Sequence, residues 1–424
     1  MTDSLVVILE HAVAGTLTRL PNGRSRFEYD DTYRQRPGAT PLSLSMPTQV
    51  RTHSDQVVTP WLWGLLPDNE AVLARWARQF HVSASSPFAL LGTAVGEDCA
   101  GAVRFCAPHD VERLLSRTGD IAWLSDAEVA TRLRDLKEDS TTWLGRSFTG
   151  QFSLAGAQAK TALLFQGGRW GEPSGAMATT HILKPAVVGF DDHDLNEHLC
   201  LDAARRVGLV VARTRIMRFG EETAVVVDRY DRRVADASVV RIHQEDLCQA
   251  MSVHPARKYQ NEGGPGPVDI IRLFRDVLPP QDAVDATTRF ADALIWNWLI
   301  AGTDAHAKNY SVLLSSDQIR LAPLYDIASA LPYGQHERKL RMAMKIGGDY
   351  GVFPMRVSWS KAAAELGLDA DAMKARVREL AGFAPDAFAD AAASEEVRAL
   401  DRKGPAKLVD LVSERAARCG QLIA

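Results

Sequence analysis

Gly302-Thr303-Asp304-Ala305-His306-Ala307-Lys308-Asn309 sets an acid and an amide five positions apart on one polar loop. Tyr310-Ser311-Val312-Leu313-Leu314 follows and reads as a strand. Ser315-Ser316-Asp317-Gln318 reads as a turn, and Ile319 to Leu324 as a second strand. Pro323-Leu324-Tyr325-Asp326 then puts a second Asp at a strand exit. Before the loop, Phe290 to Ile300 has almost no polar surface and reads as a buried helix ended by Gly302. A rigid buried helix feeding a polar loop holds reactive groups steady. Trp296 and Trp298 on that helix read as core packing. Taken alone, Asp304 could simply end a helix and Asn309 form a turn. Asp326 at the end of the following hairpin tips the reading toward chemistry.

The spacing D-x-x-x-x-N, a hairpin, then Asp is the order of a phosphoryl-transfer site of the protein-kinase kind. There the first Asp takes the proton of the acceptor hydroxyl, and the Asn and second Asp hold Mg²⁺. A hard cation prefers oxygen, so a carboxylate and an amide suit it, with phosphates completing the octahedron.

Matching parts lie upstream. Ser153-Leu154-Ala155-Gly156-Ala157-Gln158-Ala159-Lys160 carries small residues that let backbone approach a ligand, so its amides could cradle phosphates. It is neither a Walker A loop nor G-x-G-x-x-G, and a plain small-residue turn fits it as well. Gly167-Gly168 closes a hairpin after it. In His181-Ile182-Leu183-Lys184-Pro185 a lysine ends a short strand stopped by proline. A helix over Asn196 to Gly208, capped by Asn196 or Asp194, sets Glu197 in its first turn, where it could pair Lys184 or merely complement the helix dipole. Thr223 to Val227 reads as a strand running into Asp228-Arg229-Tyr230-Asp231-Arg232, either an interlobe hinge or a solvated strand exit.

These segments, in order, resemble the HipA family of serine/threonine kinases, the toxins of bacterial type II toxin–antitoxin modules. The matching pieces are SLAGAQAKTALL, HILKP, NEHLCLDAARRVGL, VVVDRYDRR, RIHQEDLCQA with ARKYQ, GTDAHAKNYS and LAPLYDIAS. Pro41-Leu42-Ser43-Leu44-Ser45-Met46-Pro47 and Gly64-Leu65-Leu66-Pro67-Asp68 extend the likeness toward the amino terminus. The resemblance implies Asp304 as base, Asn309 and Asp326 as Mg²⁺ ligands, and Lys184 on the ATP phosphates. It implies Ala155, Gly156, Ala157, Gln158, Ala159 and Lys160 as the phosphate loop, and Asp228, Arg229 and Tyr230 on the adenine side. Ser153 matches a serine that the family autophosphorylates, which ejects the loop. Ala159 stands where an acidic residue or proline is common, and Ala305 where an acid or amide is common; neither change removes a catalytic atom. His306, inside the loop and counted with the ATP-site residues, reads as hydrogen-bonding backbone rather than moving protons. His243 to Gln249 reads as a polar helix start, with Glu245 or Asp246 favouring the dipole and an architectural role beneath the loop.

The resemblance also implies the surroundings. ATP and Mg²⁺ are the cofactors, an aminoacyl-tRNA synthetase the protein substrate, and a HipB-like helix-turn-helix antitoxin the partner that reaches operator DNA. A small-molecule phosphotransferase and a catalytically idle corepressor are the competing functions.

Composition is compatible with this. The 424 residues carry 49 Lys and Arg against 53 Asp and Glu, a net charge of −4, which argues against a dominant nucleic-acid surface on this chain. The five cysteines have neither metal-site spacing nor disulfide density, as expected in a reducing cytosol. No apolar run is long enough to cross a membrane, and nothing at the start resembles a leader. The expected architecture is α+β, a two-lobed protein-kinase-like fold in three parts. Residues 1–105 form a mostly β part, with Leu5 to Leu9 and Arg26 to Tyr29 as strands, an Asn22-Gly23 hairpin turn and a helix at Glu70 to Phe80. Residues 106–230 hold a linker helix at Asp126 to Leu136 and a β-rich nucleotide lobe, in which Arg213 to Arg218 is a solvated edge. Residues 231–424 are mainly helical around the catalytic hairpin.

Overall fold

The computed structural model describes residues 3–116, 119–147, 149–235, 238–315, 318–334 and 336–423. An amino-terminal sheet runs β4-β3-β2-β1-β5, from β1 (Ser4–Leu9), β2 (Ala12–Arg19), β3 (Ser25–Tyr29), β4 (Thr52–His53) and β5 (Val103–Cys106). The turn at Asn22-Gly23 is present, with Gly23 at φ 82, but it joins β3 to β2 rather than to the first strand. This part is less β-rich than expected. The helices Asp55–Gly64, Glu70–Phe80 and Pro87–Leu91 pack Trp61, Trp76 and Leu90 into one core with Leu5, Val7 and Phe27.

The second sheet is antiparallel, ordered β10-β11-β9-β7-β8-β6. Its strands are β6 (Ile121–Leu124), β7 (Thr161–Gln166), β8 (Arg169–Pro173), β9 (His181–Pro185), β10 (Thr214–Phe219) and β11 (Glu222–Asp228). The Arg213–Arg218 stretch therefore sits mostly in an edge strand, as its charge suggested. Alternation along β11 serves two cores. Ala224 and Val226 meet Val129 and Leu133 of the helix Asp126–Glu138, while Val225 and Val227 meet Leu195 and Leu199 of the helix His193–Arg206.

That second helix starts three residues before the expected Asn196, and Glu197 falls beyond the first turn. The expected caps are engaged elsewhere. Asn196 donates to Ser329 O and accepts from Ser329 N, at 2.8 and 2.9 Å. Asp194 is buried against Arg402 at 3.2 Å, and Asp192 at φ 54 fills the cap position. Sequence-local capping gave way to tertiary contacts, hydrogen bonds for Asn196 and an ion pair for Asp194.

The remainder is mainly helical, with more strand than expected. β12 (Arg232–Ala235) pairs with β13 (Ser238–Arg241). β14 (His243–Asp246), β15 (Ser311–Leu314) and β16 (Ile319–Leu321) form the sheet under the catalytic loop. β17 (Arg341–Ile346) and β18 (Asp349–Gly351) add a hairpin. The expected helix start at His243 is thus a strand. Only Asp246 caps a helix, the short Leu247–Ala250, and Glu245 is buried in the strand accepting from Leu44 N at 2.7 Å. Burial pushes the Glu245 carboxyl up to about 8. His243 Nε2 meets Leu42 O at 2.9 Å, so the Pro41–Pro47 segment is docked on the strand that supports the catalytic loop.

The helix before the loop runs Pro280–Leu299, a longer element than its apolar end suggested. Trp296 and Trp298 are fully buried, Trp296 stacking on Phe388 at 5.8 Å. Ala301, at φ 54, rather than Gly302 takes the left-handed position after the helix. Gly302 is needed for a different reason: a Cβ there would lie 2.4 Å from Asn297 Oδ1. β16 stops at Leu321, earlier than expected, because Pro323 cannot donate and Leu324 N–H turns to Val210 O. Ser316 and Asp317 of the expected turn lie outside the described residues.

A buried ionic knot ties the amino-terminal part to the hinge. Asp98 meets Arg232 at 2.9 Å and Arg241 at 3.3 Å, and Asp231 meets Arg229 at 2.9 Å. Burial alone would raise Asp98, but Arg232, Arg229 and Arg241 outweigh it and hold its carboxyl far below the usual range. Removing one partner of such a set costs about 3–5 kcal/mol, because a buried charge is left unpaired.

Candidate functional site

One cleft of about 500 Å³ lies where the second sheet faces the catalytic loop, and the sequence-expected residues meet there. The loop is closed by its own polar groups. His306 N–H donates to Asp304 O at 2.8 Å, Asn309 N–H to His306 O at 2.9 Å, and Asn309 Nδ2 to Asp304 O at 2.8 Å. With its nitrogen engaged, the Asn309 amide has its oxygen left for a cation. Asp304 faces the cleft with its side chain 67% exposed, and accepts from Tyr259 Oη at 2.6 Å. Desolvation by the cleft walls raises its carboxyl, and the Tyr259 hydrogen bond opposes that.

Across the cleft, Lys184 on β9 reaches both Glu197 Oε1 and Asp326 Oδ1 at 2.7 Å. Burial alone would lower this ammonium, but Asp326 and Glu197 raise it well above its ordinary value. Asp326 in turn is held far below the carboxylate range, because Lys184 and Lys160 outweigh its burial. Asp326 also has φ 57, a left-handed backbone that Asp tolerates better than most residues.

The Ala155–Lys160 loop folds over the cleft mouth. Gly156 takes φ 99, and a Cβ there would lie 2.7 Å from Lys160 Nζ. Lys160 donates to Ala155 O at 2.6 Å and sits 4.9 Å over the Trp143 ring; burial, with Lys184 nearby, lowers it to about 8. Ala157 and Gln158 line the cleft, Gln158 Nε2 buried without a partner, and Ala159 packs against the amino-terminal core. Ser153 is completely buried and donates to Leu65 O at 2.8 Å. It closes no hairpin.

At the hinge, Asp228, Arg229 and Tyr230 reach the cleft wall as expected. Asp228 is engaged with His181 and Arg215 at 3.2 and 3.3 Å. The Arg229 guanidinium is turned into the ionic knot, so only the rest of that residue is left to the cleft. Tyr230 donates to Gln244 Oε1 at 2.5 Å and lies 5.7 Å from Tyr325. His306 differs from expectation. Its Nδ1 is buried without a partner, and its ring stands edge-on to Tyr259 at 4.9 Å instead of bonding backbone. Burial, with Lys258 beside it, pushes the imidazole down to about 3, so it is neutral.

Sequence reasoning missed four groups. Asp68 pairs with Lys258 at 2.7 Å and Lys308 at 3.5 Å, and its N–H donates to Gly156 O at 3.0 Å. Tyr259 holds Asp304. Lys308 is buried between Asp68 and Asp246. The signal was present, since GLLPD, ARKYQ and the opening loop all stood out, but nothing local says that they meet.

Among the described residues, no three or more His, Cys, Asp or Glu form a ready-made metal cage. One carboxylate and one amide in a cleft beside a lysine instead suit a cation that brings phosphates and water as its other ligands.

Two lobes around one cleft, with a strand lysine paired to a helix glutamate, define a protein-kinase-like fold. A family model described as the HipA-like C-terminal domain matches residues 152–388, and one described as the HipA N-terminal domain matches residues 5–106. Y4mE of Sinorhizobium fredii is 34% identical over 380 residues, 89% of each chain. The serine/threonine-protein kinase toxin HipA of Shewanella oneidensis is 31% identical over 319 residues, 72% of this chain and 70% of that one. A solved complex of Shewanella oneidensis HipA, HipB and operator DNA matches in fold at TM-score 0.83 and 24% identity, covering 99% of this chain and 98% of that one. The chain belongs to the HipA family.

The lysine bridge makes a testable prediction. Glu197→Gln is expected to slow phosphoryl transfer, and Lys184→Met to slow it more, because Lys184 also holds Asp326. The double variant should be no slower than Lys184→Met alone, since both break one contact. Additive losses in the cycle would mean that the two residues act separately.

Proposed function

We propose that this chain is an ATP- and Mg²⁺-dependent serine/threonine protein kinase, the toxin of a type II toxin–antitoxin module. The observation that carries this is the double engagement of Lys184 with Glu197 and Asp326 in the same cleft that holds an exposed Asp304. Mg²⁺-ATP supplies the γ-phosphoryl group and the cation that neutralises it. Asn309 and Asp326 would hold the cation, Lys184 the phosphates, and the Ala155–Lys160 loop would cover them. Asp304 would accept the acceptor hydroxyl's proton through its free oxygen. Tyr230, with Tyr325 beside it, would wall the adenine.

An aminoacyl-tRNA synthetase is the proposed substrate and translation the process inhibited. A HipB-like helix-turn-helix antitoxin is the proposed restraint, contacting operator DNA; the Shewanella complex named above supports that partner. The cytoplasm is the proposed location; among the described residues no helix is long and apolar enough to cross a membrane.

Ser153 is the proposed self-inactivation site. A phosphate adds about −1.5 to −2 charge. The buried hydroxyl, bonded to Leu65 O, has no room for it, so modification requires the loop to leave. Incubation with Mg²⁺-ATP, phosphosite mapping and nucleotide titration test this. Phosphate on Ser153 together with lost ATP affinity is expected. Modification with unimpaired affinity would sink the switch, and no modification at Ser153 at any ATP concentration would remove its premise.

A further inference from the structure

We propose that Tyr259 is a positioning residue for the catalytic base, its hydroxyl holding one oxygen of Asp304 so that the other is presented to the acceptor. The inference rests on the kinase reading above and deepens it.

Asp304 needs an external restraint. Its side chain is the most exposed of the cleft's predicted catalytic groups, and the loop fixes only its backbone, through Asn309 Nδ2 and His306 N–H on its carbonyl. A free carboxylate on a two-torsion side chain samples several rotamers, and proton transfer demands one. The Tyr259 hydroxyl, 2.6 Å from Oδ1, selects that rotamer. Among the described residues no hydrogen bond reaches the second oxygen, His306 Nε2 standing 4.0 Å away.

Tyr259 has two neighbours at its ring. The His306 ring meets it edge-on at 4.9 Å and 83°. Lys258 Nζ lies 5.6 Å from its ring centroid and is anchored 2.7 Å from Asp68 of the amino-terminal part. The phenol therefore arrives at Asp304 from a braced segment, and rigid support is what separates a positioning contact from an incidental one. The phenol stays protonated, because burial and the bond to Asp304 raise it well above its ordinary value.

The test uses the full chain and ATP hydrolysis at varied ATP, in which water takes the γ-phosphoryl group in place of an identified side-chain acceptor. Tyr259→Phe removes only the oxygen. It should lower kcat by about 10- to 100-fold, the weight of one hydrogen bond to a charged group, with KM for ATP and calorimetric ATP affinity unchanged. In the Asp304→Asn background the same change should have no further effect. A loss that multiplies with that of Asp304→Asn, a rise in KM at constant kcat, or an unchanged or higher kcat would each overturn the inference while leaving the kinase reading in place. A wild-type protein that turns over no ATP would overturn both.

Discussion

Asp304→Asn is expected to bind ATP as tightly as the wild type and to transfer phosphate about 10²–10⁴-fold more slowly, the usual weight of a general acid–base group. The substitution is nearly isosteric. The amide oxygen can still accept from Tyr259 Oη, and the backbone carbonyl still takes Asn309 Nδ2, so the loop keeps its shape. What is lost is the most exposed carboxylate among the described residues that line the cleft, 67% against 40% for Asp228 and 36% for Asp326. His306 is a poor substitute, because burial pushes its imidazole down to about 3 and its Nδ1 is buried. Transfer from labelled ATP, with calorimetry alongside, measures both quantities. A near-wild-type rate would reject Asp304 as the base.

Asp326→Ala should abolish the Mg²⁺-dependent part of ATP binding, since a methyl cannot ligate a hard cation. The substitution has two side effects that need separating. Lys184 loses one of its two carboxylates and keeps Glu197, which favours phosphate by a little. Alanine at φ 57 also adds about 1–2 kcal/mol of backbone strain. Asp326→Asn tolerates that backbone better and removes the charge alone, so it controls for the strain. Titration of ATP with and without Mg²⁺ should show the metal's contribution vanish in Asp326→Ala. Unchanged Mg²⁺-dependent affinity would move the cation elsewhere.

The groups legible in the sequence were those set by short-range spacing. Asp304, Asn309 and Asp326 are fixed by one loop and one hairpin, and their order survives folding intact. Lys184 was readable because a proline follows it in a strand, and the helix Glu70–Phe80 because its cap and apolar stripe agree. Failures came where tertiary partners took over a local signal. Asn196 looked like a cap and instead clamps Ser329. Arg229 looked like a hinge residue facing nucleotide, yet its guanidinium completes an ion cluster with Asp231 and Asp98. Gly302 looked like the helix terminator, yet Ala301 takes the left-handed position and Gly302 is held by close approach to Asn297. The Asp68–Lys258 contact spans 190 positions, and no local pattern encodes such a meeting.

The central claim is that this cleft transfers phosphate to serine or threonine side chains with Asp304 as base. Phosphoproteomics after brief induction in cells, wild type against Asp304→Asn, tests it most directly. New serine or threonine phosphosites, on Ser153 and on an aminoacyl-tRNA synthetase, should appear with the wild type and be missing from the variant. Identical phosphoproteomes from the two, with both proteins folded and present at equal levels, would contradict the account.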